Sequence, residues 1–190
     1  VAIIPQLTHP HIISNYVIGT NGAVASVALF SEVPLEQIKT VYLDYQSRTS
    51  VQLLKILLAE YWKVEVNFST ASEGYIDQIS GTTAGLIIGD RALDNLSKFP
   101  YVYDLGLAWK QHTGLPFVFA AWVANQPVPA EFMAAFDAAN GYGLAHLDEV
   151  IALIPTQEQV YDLHKYYAEN ISYVYDEEMK KGLAAFFKLY

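Results

Sequence analysis

The residues best equipped for chemistry in this chain are hydroxyls gathered where a helix begins. Ser47, Arg48, Thr49 and Ser50 stand in the run SRTSVQLLKILLAEYW, one residue after TVYLDY. Leu53, Leu54, Leu57, Leu58 and Tyr61 recur at helical spacing, so the run reads as a helix entered through a hydroxyl-rich turn. The start of a helix offers unpaired backbone N–H groups and the positive end of the dipole. Two hydroxyls and a guanidinium added there make a site for a carboxylate or a phosphate. An ordinary helix cap draws on the same residue types but needs only one of these hydroxyls.

A second candidate is NGAVAS, residues 21–26. After Asn21, Gly22 permits a tight turn and a close backbone approach, and Ser26 stands in a strand of small residues. A hairpin turn leading into a packed strand accounts for the same letters. The third candidate is Gly89–Asp90, which ends the apolar run TAGLIIGD before a short helical stretch. Asp90 is read as a helix N-cap; the alternative is that it faces a cleft, because strand ends line such sites. The histidines at 9, 11, 112, 146 and 164 fall into no metal-ligand spacing. A Ser-His-Asp arrangement, a glycine-rich phosphate loop and a dinucleotide fingerprint are not readable. Tyr161, Tyr166, Tyr167, Tyr173 and Tyr175 are read as packing and interface residues rather than catalysts, which is compatible with a homodimer.

The elements that must position these residues follow from periodicity and turn chemistry. Strands are expected at 1–5, 16–20, 24–31, 40–45, 64–68, 83–90, 101–105 and 115–125, with a loop or helical turn at 9–14. Helices are expected at 47–62, 73–79, 91–97, 108–112, 131–140 and 144–154, then from 158 to the end. Strands alternating with helices imply an α/β protein with a mostly parallel sheet. The two long strands, 40–45 and 115–125, bracket a compact β-α-β-α-β-α unit. Two lobes are therefore expected: a discontinuous first lobe of 1–45 plus 115–190, and an inserted second lobe of 46–114. The ligand would lie between them at the strand ends.

Composition narrows the classes. Of 190 residues, 53% are hydrophobic and 16% charged, which is the balance of a well-buried globular chain. With no cysteine, disulfides and thiolate-bound metals are excluded. A formal net charge of −9 argues against nucleic acid or an anionic membrane as partner. It leaves room for a small anion held by a helix N-terminus and hydroxyls. No stretch approaches the roughly 20 apolar residues of a membrane span, and no charged-then-apolar signal opens the chain. A cytoplasmic location is expected.

Several segments together resemble one family. GAVASVALFS resembles a G-P-V-x-S segment, SRTSVQLLKILL an S-R-T-S-x-x-L helix start, and GLIIGDRAL an L-I-G-D-x-A-L strand. YDLGLAWKQHTGLPFVFAAW resembles a D-L-G-x-x-W-x-x-x-T-G-L-P-F-V-F-A-x-W stretch, the longest and most specific match. Order and spacing agree along essentially the whole chain with the chorismate dehydratases of the futalosine-dependent route to menaquinone.

That resemblance implies a type II periplasmic-binding-protein fold and chorismate, a dicarboxylate, as substrate. The reaction would be dehydration to 3-(1-carboxyvinyloxy)benzoate, with no metal or organic cofactor and neither nucleic acid nor membrane as partner. Ser26 matches the family serine implicated in the reaction, and Thr49 and Ser50 match the pair that holds a substrate carboxylate. Asn21, Gly22, Ser47, Arg48, Asp90, Thr113 and Gly114 lie in the matching segments and are expected to bind substrate. Ala23 departs from the pattern, which often has proline there. VAIIPQ resembles the strand that ends the family's first β-α-β unit. The opening strand, a Leu-Asn loop and a helix are expected to be absent, leaving a family asparagine thought to act in catalysis without a counterpart.

The chemistry suits these residues. Dehydration to an aromatic ring needs orientation, a proton acceptor and help for the leaving hydroxyl, but no redox group. Hydroxyls and amides can orient and stabilise anions but supply no strong base; the family suggests a substrate carboxylate in that role. Other readings stay open. A 1,4-dihydroxy-6-naphthoate synthase shares the fold and the Thr-Ser helix start but uses a histidine base, and no histidine here stands in a matching motif. A non-catalytic binding protein for a small carboxylate would use the same fold. A ligand-sensing regulator would need a fused DNA-binding segment.

Overall fold

The computed structural model describes residues 1–155 and 161–190. Eight strands form two sheets. β1 (His11–Thr20), β7 (Phe117–Ala124) and β8 (Ser172–Val174) make a three-stranded sheet in the order β7-β1-β8. β2 (Val27–Ser31), β3 (Thr40–Leu43), β4 (Asn67–Thr70), β5 (Thr83–Ile88) and β6 (Tyr101–Asp104) make a five-stranded sheet in the order β4-β3-β5-β2-β6. The helices are α1 (Thr49–Ile56), α2 (Asp90–Leu93), α3 (Leu105–Thr113), α4 (Ala130–Ala145), α5 (Leu147–Ala152), α6 (Leu163–Lys165) and α7 (Glu177–Leu189).

Alternation in β2 explains how the larger sheet is covered on both faces. Val27 and Leu29 belong to the main core, while Ala28 and Phe30 belong to a second core on the opposite face. All five residues of the strand are buried. The main core also takes Leu53, Leu54, Leu57 and Leu58, all buried as the leucine spacing requires. Trp109 of α3, Phe117 of β7 and Phe186 of α7 meet edge-to-face in the same core, which thereby joins the two sheets. The helix begun by α1 continues as a π-turn, Leu57–Trp62, and stops at Lys63, whose φ is 57°.

Four expectations are corrected. The sheets are not mostly parallel: only β3 runs parallel to its neighbours β4 and β5, while β2 is antiparallel to β5 and β6, and β1 to β7 and β8. Residues 1–5 are not a strand; Ile4–Gln6 form a 3-10 turn with Pro5 in its first positions, where its fixed φ and missing N–H fit. Of the loop expected at 9–14, residues 11–14 are the start of β1. The long helix expected from 158 to the end is interrupted by β8 and a π-turn, Tyr166–Asn170; residues 158–160 lie outside the described residues. The sheets also divide the chain differently from the lobe boundaries at 45 and 115. Val27–Ser31 and Thr40–Leu43 hydrogen-bond with β4, β5 and β6. The chain crosses between sheets at 21–26 and 105–116.

Candidate functional site

Strand direction brings the candidate residues to one end of the larger sheet. β3 and β5 are parallel, so both deliver their carboxyl ends there: Asp44 and the turn to α1, and Gly89–Asp90. β2 runs the other way, so its beginning lies against the end of β5, where Gly89 N–H donates to the Ser26 carbonyl at 2.8 Å. β6 runs antiparallel to β2 and ends beside it at Asp104. Asp44, Gly89, Ser26 and Asp104 thus stand in a row across four neighbouring strands. At about 4.8 Å per strand, Ser26 lies roughly 10 Å from the strand that leads into α1.

Ser26 is buried, with 4% of its surface exposed, and its Oγ accepts a hydrogen bond from the Tyr166 hydroxyl at 2.9 Å. Burial raises the Tyr166 phenol above its ordinary value, so it stays protonated and able to donate at neutral pH. Asn170, at the other end of the same π-turn, donates from Nδ2 to the Ala23 carbonyl at 3.0 Å. The turn therefore grips the 23–26 loop at two points.

Asp104 holds the loop from the opposite side. Its carboxylate accepts from the N–H groups of Val24 and Ala25, at 3.0 and 2.7 Å, while capping α3 through Leu107 N–H at 2.9 Å. Desolvation raises its pKa, and the backbone donors work against that rise. Between these anchors Ala25 has φ 61°, a left-handed conformation unusual for a residue with a Cβ. Gly22 was expected to provide the tight turn. Its φ is not positive, and a Cβ there would meet nothing within 4 Å. The turn at Asn21–Gly22 is closed instead by Thr20, whose hydroxyl donates to the Gly22 carbonyl. The glycine this corner needs is Gly106 in α3, where a Cβ would stand 2.7 Å from the Gly22 carbonyl.

At the start of α1 the four hydroxyl-turn residues separate in role. Ser47 is the cap, its Oγ accepting Ser50 N–H at 3.0 Å. Thr49 Oγ1 accepts from Ala2 N–H at 3.2 Å and from the Val1 amino group at 2.9 Å, so it ties the first residues to the helix. The Ser50 hydroxyl belongs to a buried residue and has no hydrogen-bond partner among the described residues. Arg48 is exposed and lines a cavity of about 300 Å³ with Ala2, Gln6, Ser47, Gln52 and Tyr190.

Asp90 does not cap. Gly89 is the N-cap of α2, with no side-chain bond, and Asp90 stands exposed in the first turn, close enough to Tyr166 to act on its phenol. Thr113 and Gly114 lie at the far end of α3. Thr113 Oγ1 bonds back to the Trp109 carbonyl, and Gly114, at φ 74°, ends the helix. The structure therefore brings Asn21, Gly22, Ser26, Ser47, Arg48, Thr49, Ser50 and Asp90 to one end of the sheet, and leaves Thr113 and Gly114 at the other end of a nine-residue helix.

Sequence reasoning passed over Asn170, Asp104 and the pair Asp44–Arg91, and took Tyr166 for a packing and interface residue. Asp44 is buried, accepts from Arg91 at 2.8 Å and from the Tyr75 hydroxyl at 2.9 Å, and joins the ends of β3 and β5. A carboxylate closing an apolar strand was the one readable signal for it. None of the five histidines is hydrogen-bonded to these residues among the described residues, although His164 stands two positions before Tyr166. His112 packs on Tyr61, His146 stacks on Tyr142, His164 meets Asp148, His11 opens β1 at the end opposite Thr20, and His9 precedes it. Among the described residues no cluster of His, Asp or Glu could hold a metal ion. No described helix is long and apolar enough to cross a membrane. A larger cavity, about 560 Å³ and mainly apolar, lies between α4 and strands β1 and β7, lined by none of these residues.

Comparison with known proteins adds three findings. A family model described as menaquinone biosynthesis matches residues 2–190. A chorismate dehydratase of Thermus thermophilus is 32% identical over 198 residues, covering 92% of this chain and 71% of that protein. A crystal structure of an Archaeoglobus fulgidus protein superposes with a TM-score of 0.58 at 13% identity, over 96% of this chain and 72% of that one, a likeness of fold.

Proposed function

This chain belongs to the menaquinone biosynthesis family, and from that premise we propose that it dehydrates chorismate to 3-(1-carboxyvinyloxy)benzoate. The relative that carries the reading is the chorismate dehydratase at 32% identity. The structural observation that supports it most is the buried Ser26 hydroxyl hydrogen-bonded to Tyr166, at the same sheet end as the start of α1.

In this reading the start of α1 binds one substrate carboxylate through backbone N–H groups and the Ser50 hydroxyl. The Ser26 hydroxyl hydrogen-bonds to the departing hydroxyl of the ring and keeps its proton; the ring C–H proton passes to a carboxylate of the substrate itself and from there to the departing oxygen. Water leaves and the ring becomes aromatic, so no redox partner enters. Among the described residues no histidine is hydrogen-bonded to Ser26 or to the start of α1, which favours dehydration over the naphthoate-forming reaction, since that calls for a histidine base. The two sheets would be the lobes of a type II periplasmic-binding-protein architecture, with substrate between them near the crossing at 21–26.

The test is to incubate the full-length protein separately with chorismate and with the cyclic futalosine product, following each by chromatography. Loss of chorismate with appearance of the enol-ether benzoate is the expected result. Untouched chorismate beside formation of the naphthoate would replace this reading by the other enzyme, and tight chorismate binding without turnover would make it a binding protein. Ser50→Ala should lower kcat/KM by about tenfold or more, the loss of a hydrogen bond to a charged group.

A further inference from the structure

We propose that Tyr166 is a positioning residue, whose phenol fixes the rotation of the Ser26 hydroxyl and so sets where that hydroxyl donates. The proposal rests on the dehydratase reading and deepens it. A serine hydroxyl has one proton and two lone pairs, and it turns to suit its neighbours. Here Tyr166 donates to Ser26 Oγ at 2.9 Å, engaging one lone pair. Oγ has no other hydrogen-bond partner among the described residues, so the serine proton is left to point away from Tyr166.

Everything else about Ser26 is already fixed. Its N–H donates to the Val24 carbonyl at 2.7 Å, and its own carbonyl accepts from Gly89 at 2.8 Å. The residue before it is held left-handed at φ 61° with its N–H on Asp104. Rotation about Cα–Cβ and Cβ–Oγ is the freedom that remains, and Tyr166 removes it. The tyrosine is itself braced. Tyr161 and Tyr167 pack edge-on against its ring, at centroid distances of 6.3 and 5.1 Å, and Asn170 ties its π-turn to Ala23. A phenol kept protonated by burial also polarises the hydroxyl it donates to, which strengthens the serine as a donor in turn. Tyr166 gives up no proton in this scheme; it acts through Ser26.

The test uses Tyr166→Phe in the full-length enzyme, which removes one oxygen and keeps the ring. Expected are a fall in kcat of about tenfold with KM within about twofold of wild type, and an unchanged melting profile. The double variant Ser26→Ala/Tyr166→Phe should be no slower than Ser26→Ala alone, because the phenol has no other route to the reaction. An unchanged kcat in Tyr166→Phe, or losses that multiply in the double variant, overturns the proposal. Should Tyr166→Phe fail to fold, fluorotyrosine at 166 keeps the shape and changes the acidity; a shifted pH profile of kcat supports the role, and an identical profile overturns it. A crystal structure of Tyr166→Phe gives a readout independent of turnover: Ser26 in a second rotamer is expected, and a single unmoved rotamer refutes the proposal. Wild-type protein that leaves chorismate intact would sink the dehydratase reading alone.

Discussion

The two sheets are built to different standards of closure. In the five-stranded sheet, β2 is buried along its whole length and packed on both faces, and one end of that sheet carries Asp44, Gly89, Ser26 and Asp104 on four neighbouring strands. In the three-stranded sheet one face meets the main core, but the other is only loosely roofed by α4, which contains no buried residue. Trp122, Phe132 and Tyr142 on that side are 53%, 51% and 68% exposed. The difference teaches where geometric accuracy is kept. A side chain closed in on both faces cannot drift without making a void, whereas one over a half-empty cavity can.

Substitutions should break the two regions unequally. The largest effect is expected for Asp44→Ala, which strands Arg91 beside a vacated buried site and should destabilise by about 3–5 kcal/mol. Leu53→Ala, in the closed core, should follow at about 2–5 kcal/mol. Trp122→Ala and Phe132→Ala should stay within about 1 kcal/mol. Urea unfolding of the four variants checks the contrast, and equal losses on both sides would erase it.

Alkali should sharpen the same comparison. Tyr75 and Tyr173 are both raised from 10.0 by burial, Tyr173 to about 12, and Tyr75 further still beside Asp44. Between pH 10 and 12 the unfolded chain releases these protons and the folded chain keeps them, so stability present below pH 10 is lost as pH rises through that window. Tyr75→Phe, which removes the more strongly raised group, should flatten the decline, as thermal melts across the range would show.

Smaller effects are expected at the turns. Ser47→Ala should destabilise by about 1 kcal/mol through loss of the cap on Ser50. Ala25→Gly should stabilise by up to about 1 kcal/mol, because glycine accepts φ 61° without the Cβ conflict. A destabilised Ala25→Gly protein would show that the left-handed turn is favoured by packing of the alanine methyl.

What the sequence disclosed follows the range of the interactions involved. The leucines of α1 repeat within one helix, so the helix and its hydroxyl start were readable, and Ser47 proved to be the cap. β5 was readable as a short apolar run closed by Gly89. Strand direction was not, because β2 finds β5 and β6 through contacts more than fifty residues away, and alternation in one strand says nothing of its neighbour's direction. β8 hid inside an expected helix because three residues carry too little period to separate the two. Ser26 was singled out as a candidate by the resemblance of its segment. The bonds of Tyr166 and Asp104 to the 23–26 loop were out of reach, since only the folded chain brings them there.

The hydrogen bond from Tyr166 to Ser26 spans 140 positions of sequence. At about 5–20 residues per second of synthesis, Ser26 leaves the ribosome roughly 7–28 seconds before the residue that orients it. β5 and β6 can accept β2 well before that, so the larger sheet can close around a serine still free to rotate. Competence for the proposed chemistry thus comes later than the fold that houses it. A chain interrupted before residue 166 would present the strand and the serine but not the hydroxyl that steadies it.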